Sequence, residues 1–179
     1  MGLREPLRLP EDDCSLAGAL EVMGERWSFM ILRAAFNQLY HFEEFQSELG
    51  IARNILSNRL ARLVDHGILG RHIVEADRRK VEYRLTQKGL DLLPVMIALR
   101  QWGEKWVSGM PSTPVLADSR DLQPIRPIAI QAHDGRALGP NDLCWVHAEE
   151  VKPIGGCDGG AAGHRRDAPS DAIVIPVAE

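Results

Sequence analysis

The chain has 179 residues, of which 45% are hydrophobic, so it is long and apolar enough for one ordinary domain with a buried core and an extension. No apolar run approaches the roughly 20 residues that a membrane-spanning helix needs, and the N-terminal stretch MGLREPLRLPEDDC lacks the apolar region of a secretory signal, so we expect a cytoplasmic protein without a membrane partner. The formal net charge of −4 argues only weakly against nucleic acid, because residues 51–88 carry nine basic and four acidic side chains.

The first 66 residues are predicted to form four helices, because apolar residues recur there at helical spacing. The second helix is apolar nearly all round, which is typical of a helix in the middle of a core. Gly50 and Gly67 are expected to end the third and the fourth helix. The predicted helices cover residues 14–23, 26–36, 42–50 and 52–66. The buried stripe expected on the fourth helix consists of Leu56, Leu60, Leu63 and Val64.

The hydrophobic period changes after Gly67. Residues 68–76 and 80–86 are strand-like, and the charged sequence ADRR joins them as a short hairpin turn. Thr86 can cap a further helix over residues 87–107, which Pro94 should kink. The predicted order is therefore four helices, an antiparallel hairpin and a fifth helix.

The composition changes again after residue 110. The sequence MPSTPVLADSRDLQP is typical of a linker, and IRPIAIQAHDGRAL suggests a small β-hairpin that turns at Asp134 and Gly135. Residues 153–170 are rich in glycine and alanine and are predicted to be disordered. The sequence thus divides into an N-terminal arm (1–13), a domain (14–110) and an irregular, partly β C-terminal extension (111–179).

A polar face lies opposite the apolar stripe of the fourth helix. Arginine can form paired hydrogen bonds with guanine and asparagine with adenine, so such a face suits the major groove of DNA. A merely solvated helix face is the alternative, but the local basic charge and the hairpin that follows favour DNA. The residues expected to face the groove are Arg53, Asn54, Ser57, Asn58 and Arg62.

Three adjacent cations stand at the hairpin turn. They repel one another unless a polyanion neutralises them, and DNA phosphate is the obvious partner. An ordinary polar turn is the alternative. The expected phosphate contacts are Arg78, Arg79 and Lys80.

Four stretches carry a resemblance to a known family. In chain order they are CSLAGALEVMGERWSFMILR, FEEFQSELGIARNILSNRLARLVDHGIL, RRKVEYRLTQKGLDLLPV and WGEKW. Together they resemble the HxlR-type winged helix-turn-helix transcriptional regulators, relatives of the MarR group, over residues 14–106. The resemblance implies a mainly α fold with a small antiparallel β-wing, in the order α1-α2-α3-α4-β-β-α5.

The resemblance also implies a function. A protein of this family would bind double-stranded operator DNA as a homodimer and act as a repressor or an activator. Residues 52–66 would be the recognition helix, and EADRRK would be the wing. Two recognition helices about 34–36 Å apart would favour a pseudo-palindromic operator.

Helix 87–107 has more apolar surface than one small domain can bury. A second subunit is its natural cover, and packing of this kind is preferred to a ligand cage made of tryptophans. The residues expected at the dimer interface are Leu92, Met96, Leu99, Trp102 and Trp106.

The three cysteines are odd in number and widely spaced, so they do not suggest a disulfide framework. Cys14 begins the first helix, where the positive dipole end favours a thiolate. Some HxlR-type proteins use a cysteine at a similar place to sense oxidants or electrophiles, so the resemblance makes Cys14 a redox-sensing candidate. An unreactive, buried Cys14 is the favoured alternative.

Metal, cofactor and catalytic sites are not expected. A zinc site is disfavoured because its candidate ligands are irregularly spaced. Those ligands would be Cys144, His147, Cys157 and His164. No catalytic motif is visible, and the residues after 110 are too few for a cofactor-binding α/β domain. The remaining alternative to a DNA-binding regulator is a winged-helix module for dimerisation or protein interaction, and an unknown small-molecule or oxidant effector is left open.

Overall fold

The computed structural model describes residues 14–74 and 80–153. Three features expected from the sequence lie outside the described residues. They are the N-terminal arm 1–13, the wing turn with Arg78 and Arg79, and the glycine-rich segment from residue 154 onwards with Cys157 and His164. The described residues fall into two compact units, 14–99 and 100–153, and each is treated by itself below.

The first unit contains the predicted helices and the antiparallel hairpin, which confirms the winged helix-turn-helix fold. Its elements are α1 (Ser15–Met23), α2 (Arg26–Phe36), α3 (Phe42–Leu49), α4 (Arg53–Asp65), β1 (Leu69–Ile73), β2 (Val81–Leu85), α5 (Gln87–Leu90) and α6 (Leu93–Gly103). A π-helical turn, Glu104–Ser108, continues α6. No helix in the described part of the chain has the length and apolar character that crossing a bilayer requires.

The core is built around α2, as its sequence predicts. Ile31 and Leu32 have no exposed surface, and Phe45 of α3 is equally buried. Three predicted members of the α4 stripe are buried, and Val64 is partly buried against them. Gly50 and Gly67, with φ angles of 58° and 67°, adopt the left-handed conformation that glycine tolerates best, and so the third and fourth helices end where predicted.

Strand β2 of the wing pairs on both of its edges, and the sequence indicated only the pairing with β1. β1 pairs with β2 from Leu69–Leu85 at the base to Ile73–Val81 at the outer end. On the other edge of β2, the main-chain N–H of Tyr83 donates to the carbonyl of Tyr40 at 2.8 Å, and His41 forms an isolated bridge with Glu82. The segment just before α3 therefore anchors the wing to the helices.

The predicted single helix 87–107 is wrong in one respect, because the structure has two helices there. α5 ends at Leu90, and the N–H of Leu92 reaches only three residues back, to the carbonyl of Gly89 at 3.2 Å. Pro94 has no N–H to give the carbonyl of Leu90, so a continuous helix would lose a hydrogen bond and suffer a clash there. A new helix that begins at Leu93 places the proline in its first turn, where no donor is needed.

The second unit has little regular structure. The predicted turn at Asp134–Gly135 is present, with Gly135 at a φ of 83°, but the expected hairpin strands are reduced to the isolated bridge Gln131–Ala137. A similar bridge joins Ala117 and Pro124. Within this unit, Oε1 of Gln101 accepts from the N–H of Ile128 at 2.7 Å. None of the side chains in 100–153 whose burial is described is buried.

Candidate nucleic-acid interface

The outward face of α4 carries amides. At 3.6 residues per turn, Asn54 and Asn58 lie nearly opposite the buried leucines, and Ser57 lies on the flank of the same exposed surface. All three side chains are exposed. The Oδ1 atom of Asn58 accepts a hydrogen bond from Nη1 of Arg59 at 3.2 Å. This arrangement offers hydrogen-bonding groups without bulky side chains between them, which suits contact with base edges.

Arg53 begins α4 and is exposed. Its guanidinium carbon lies 4.7 Å from the centre of the Phe42 ring, a distance suited to a cation–π contact. Ala52 precedes the helix and supplies no side-chain cap, so the first N–H groups of α4 have no partner from that residue. Positive charge thus coincides with an N-terminus that lacks a side-chain cap at the start of α4, an arrangement that attracts anions.

Arg62 is hydrogen-bonded to the main chain of another helix. Its Nη2 atom donates to the main-chain carbonyl of Glu21 at 2.7 Å, and its side chain is half-buried. The neighbouring Arg59, which the sequence did not single out, forms an ion pair with Glu25. Two arginines of α4 therefore hold the corner between α1 and α2.

The wing adds exposed basic groups. Lys80 is exposed, and its carbonyl accepts from the N–H of Val74 at 3.0 Å where the two strands diverge. Arg71 and His72 of β1 are also exposed, although sequence reasoning did not name them. The sequence could have indicated them, because both residues lie in the predicted strand that leads into the basic turn. Arg84 differs, because it stacks on Tyr40 and bonds to Glu82 within the chain.

Glu44 fixes the start of α3 in front of α4. Its Oε2 atom accepts from the main-chain N–H of His41 at 2.8 Å and from that of Tyr40 at 2.9 Å. The hydrogen bond from His41 is the main reason that the pKa of Glu44 lies below its ordinary value of 4.5. The ionised carboxylate therefore caps α3 at neutral pH and holds the segment that pairs with β2.

The residues predicted at a dimer interface divide into two groups. Leu92 and Met96 are partly buried against the core of the first unit. Leu99, Trp102 and Trp106 are exposed by 52%, 57% and 66%. On α1, Leu16 and Leu20 are exposed as well.

Two of the cysteine candidates, Cys14 and Cys144, lie within the described residues. Cys14 caps α1, where its Sγ atom accepts from the N–H of Ala17 at 3.4 Å. Cys144 and His147 are exposed, while the two other proposed zinc ligands lie outside the described residues. In residues 14–74 and 80–153, no group of three histidine, cysteine or acidic side chains could hold a metal ion.

The first unit thus combines a buried helix α2, a helix α4 with exposed amides and a two-stranded wing with exposed basic residues. The sequence model of the HxlR-like helix-turn-helix family matches residues 22–110. The chain belongs to the HxlR-like helix-turn-helix family. It is a DNA-binding transcriptional regulator, as the resemblance in its sequence implied.

Relatives of this HxlR-like regulator include uncharacterized HTH-type transcriptional regulators. One from Mycobacterium tuberculosis H37Rv is 40% identical over 138 residues, which are 76% of this chain and 79% of the relative. One from Synechocystis is 30% identical over 95 residues, 52% of this chain and 70% of the relative. The match to the mycobacterial protein is longer than residues 1–110, so it includes part of the extension.

Solved structures agree with the fold of this HxlR-like chain. A candidate transcription factor called PA1607 superposes with a TM-score of 0.67 at 37% identity and covers 80% of this chain and 96% of its own. Another from Pseudomonas aeruginosa, PA1374, has a TM-score of 0.54 at 34% identity and covers 78% of this chain and 95% of its own. These similarities are to families of regulators rather than of enzymes.

Proposed function

We propose that this HxlR-like regulator binds a pseudo-palindromic operator as a homodimer, with α4 in the major groove and the wing on the flanking phosphates. The observation that carries the proposal is the exposed amide face of α4, which its buried leucines hold outward. Arg53 and Lys80 supply positive charge at either side of this face in the sequence, and Arg78 and Arg79 are predicted to add to it. Affinity then comes mainly from phosphates and specificity from base edges.

The individual residues have different roles in this proposal. Asn54, Asn58 and Ser57 contact base edges, and Arg53 contacts a base or a phosphate at the start of α4. Arg62 stabilises α4 in this proposal, because its Nη2 atom is bonded to the carbonyl of Glu21. This assignment replaces the direct contact expected from the sequence.

The homodimer is supported by apolar surface that the single chain leaves exposed. Three tryptophans, Trp102, Trp106 and Trp145, are each more than half exposed, and a fully buried aromatic side chain accounts for about 150–250 Å². A second copy that covered Trp102 and Trp106 would remove this apolar surface from water. In the first unit, Leu16 and Leu20 of α1 are further apolar side chains that the single chain leaves exposed.

Regulation and location follow from the same proposal. A regulator of this kind acts in the compartment that holds the DNA, so the cytoplasmic location expected from the sequence is retained. Whether it represses or activates depends on where its operator lies. Cys14, at the start of α1, is the proposed point at which an oxidant effector would act.

The direct test is selection of duplexes from a random pool by the full-length protein, followed by fluorescence anisotropy at several salt concentrations. We expect a two-fold symmetric motif and a log–log slope of about −0.9 for each phosphate contact. A scrambled duplex of the same composition is the control. Failure to enrich any motif, with a flat salt dependence, would favour the alternative of an interaction module that does not bind DNA.

A further inference from the structure

The loop between β2 and α5 grips the end of the recognition helix α4. The Oγ1 atom of Thr86 donates to the carbonyl of Gly67 at 2.6 Å, and the Thr86 N–H donates to the carbonyl of Ile68 at 3.1 Å. Nζ of Lys88 donates to the carbonyl of His66 at 2.9 Å. Three successive carbonyls at the α4–β1 junction therefore receive donors from one short segment. We call residues 86–89 the junction clamp.

Gly89 completes the junction clamp through its lack of a side chain. A Cβ atom at this position would lie 2.3 Å from the carbonyl oxygen of Ile68, which no real contact allows. The N–H of Gly89 also donates to Oγ1 of Thr86 at 3.2 Å. One hydroxyl group thus caps α5 and donates to the α4–β1 turn, so the end of the wing and the end of α4 share the same anchor.

The junction clamp adds to the main-chain bonds of the junction, where the N–H groups of His66, Gly67 and Ile68 donate to carbonyls of α4. The leucine stripe holds the buried side of α4, but Gly67 itself is exposed and lies in the left-handed conformation. α4 has 13 residues and is therefore about 20 Å long. A tilt of about 5° around its C-terminal end would move its first turn by more than 1 Å, whereas hydrogen bonds tolerate only a few tenths of an ångström.

We propose that Thr86, Lys88 and Gly89 are positioning residues for sequence reading: they fix the angle between α4 and the wing so that both contact one duplex. The proposal rests on the proposed function, in which α4 reads bases and the wing contacts phosphates. It assigns these three residues no contact with DNA. Their loss should therefore reduce discrimination between sequences more than it reduces general attraction to DNA.

The first test compares Thr86→Val with Thr86→Ser in the full chain. The valine has nearly the same shape but no hydroxyl, while the serine keeps the hydroxyl. The probes are the duplex that the wild type selects from a random pool and a scrambled duplex. We expect Thr86→Val to lower the ratio of specific to non-specific affinity about tenfold, the equivalent of one base-pair contact, with the salt slope unchanged. Thr86→Ser should restore most of that ratio.

The second test keeps the proposal falsifiable if Thr86→Val does not fold. Lys88→Met removes the donor to His66, Lys88→Arg restores a cation, and Lys152→Met removes the same charge from an exposed site in the extension. The junction clamp is supported if Lys88→Met lowers the ratio of specific to non-specific affinity while its salt slope equals that of Lys152→Met. A slope reduced by about one phosphate contact with uniform weakening would overturn it, because Lys88 would then bind phosphate itself.

Two further results separate the clamp from the function on which it rests. Unchanged ratios in folded Thr86→Val and Lys88→Met would overturn the clamp and leave the proposed function intact. If the wild type selects no motif at all, the proposed function fails and the clamp fails with it.

Discussion

Replacing Arg62 by alanine separates a structural role from a DNA contact. The bond from its Nη2 atom to the Glu21 carbonyl ties α4 to the last part of α1. A hydrogen bond to a charged group is worth about 1.5–3 kcal/mol, and we expect about 1 kcal/mol here because water reaches part of the guanidinium. For a domain of about 100 residues, that loss of unfolding free energy lowers the melting temperature by roughly 4–8 °C.

The assay pairs thermal denaturation with salt-dependent anisotropy on the selected duplex, at a fixed protein concentration because dimerisation affects both readouts. Arg62→Ala should melt earlier and keep the wild-type salt slope. The matched control is Arg71→Ala, which removes an equal charge from the exposed surface of β1. It should leave the melting temperature nearly unchanged and reduce the slope by about one phosphate contact. If Arg62→Ala melts like the wild type and loses slope instead, Arg62 binds phosphate and the role argued from Glu21 is wrong.

Four other outcomes are expected. Asn58→Ala should reduce the preference at one base pair by about 1–3 kcal/mol without lowering the melting temperature, measured with duplexes substituted at each position; equal losses on all duplexes would contradict a base contact. Leu60→Ala should destabilise the domain by about 2–5 kcal/mol in urea, since Leu60 is 1% exposed; a loss below about 1 kcal/mol would mean that the core does not depend on it. Because the pKa of Glu44 is lowered from 4.5, its ionised form stabilises the fold above that pH and this stability is lost as the pH falls through the lowered value; Glu44→Gln should weaken the loss of stability in acid, and identical urea midpoints from pH 6 to about pH 3 in both proteins would count against this. Trp102→Ser should weaken self-association in sedimentation experiments, whereas an unchanged dimer fraction across dilution would remove Trp102 from the interface.

The sequence predicted the first unit well because its pattern is periodic and local. Leucines at helical spacing placed the buried side of α4, and the glycines at 50 and 67 marked where two helices end. The prediction of one helix over residues 87–107 was wrong because a helical pattern with an internal proline is compatible with two structures. One is a single kinked helix, and the other is two helices with a break before the proline. The structure shows the restart, with α5 ending at Leu90 and α6 beginning at Leu93.

The candidate site was predicted in composition but not in detail. Amides and arginines on α4 are visible in the sequence, yet the partner of Arg62 is a main-chain carbonyl of Glu21, 41 residues away. Main-chain acceptors carry no residue signature, so no sequence pattern could reveal that bond. The bridge between His41 and Glu82 was also not predicted, because a pairing of one residue leaves no periodic pattern in the sequence.

The extension shows where the sequence pattern is ambiguous. The stretch IRPIAIQAHDGRAL suggested a hairpin, but the proline at 127 removes a donor that a longer ladder would need. The turn at Asp134 was predictable because an Asp-Gly pair is a strong local signal. The described apolar residues of the second unit form no buried core, so the burial pattern does not indicate what this unit does.

The bonds at the α4–β1 junction end on main-chain carbonyls, and this has a consequence for protein engineering. The acceptors at residues 66–68 are the same whatever side chains those positions or the exposed side of α4 carry. Substitutions at positions 54, 57 and 58 could therefore change the base preference without any change to the bonds of the junction clamp. In such a redesign, the residue least open to exchange would be the glycine at 89, which touches no base at all.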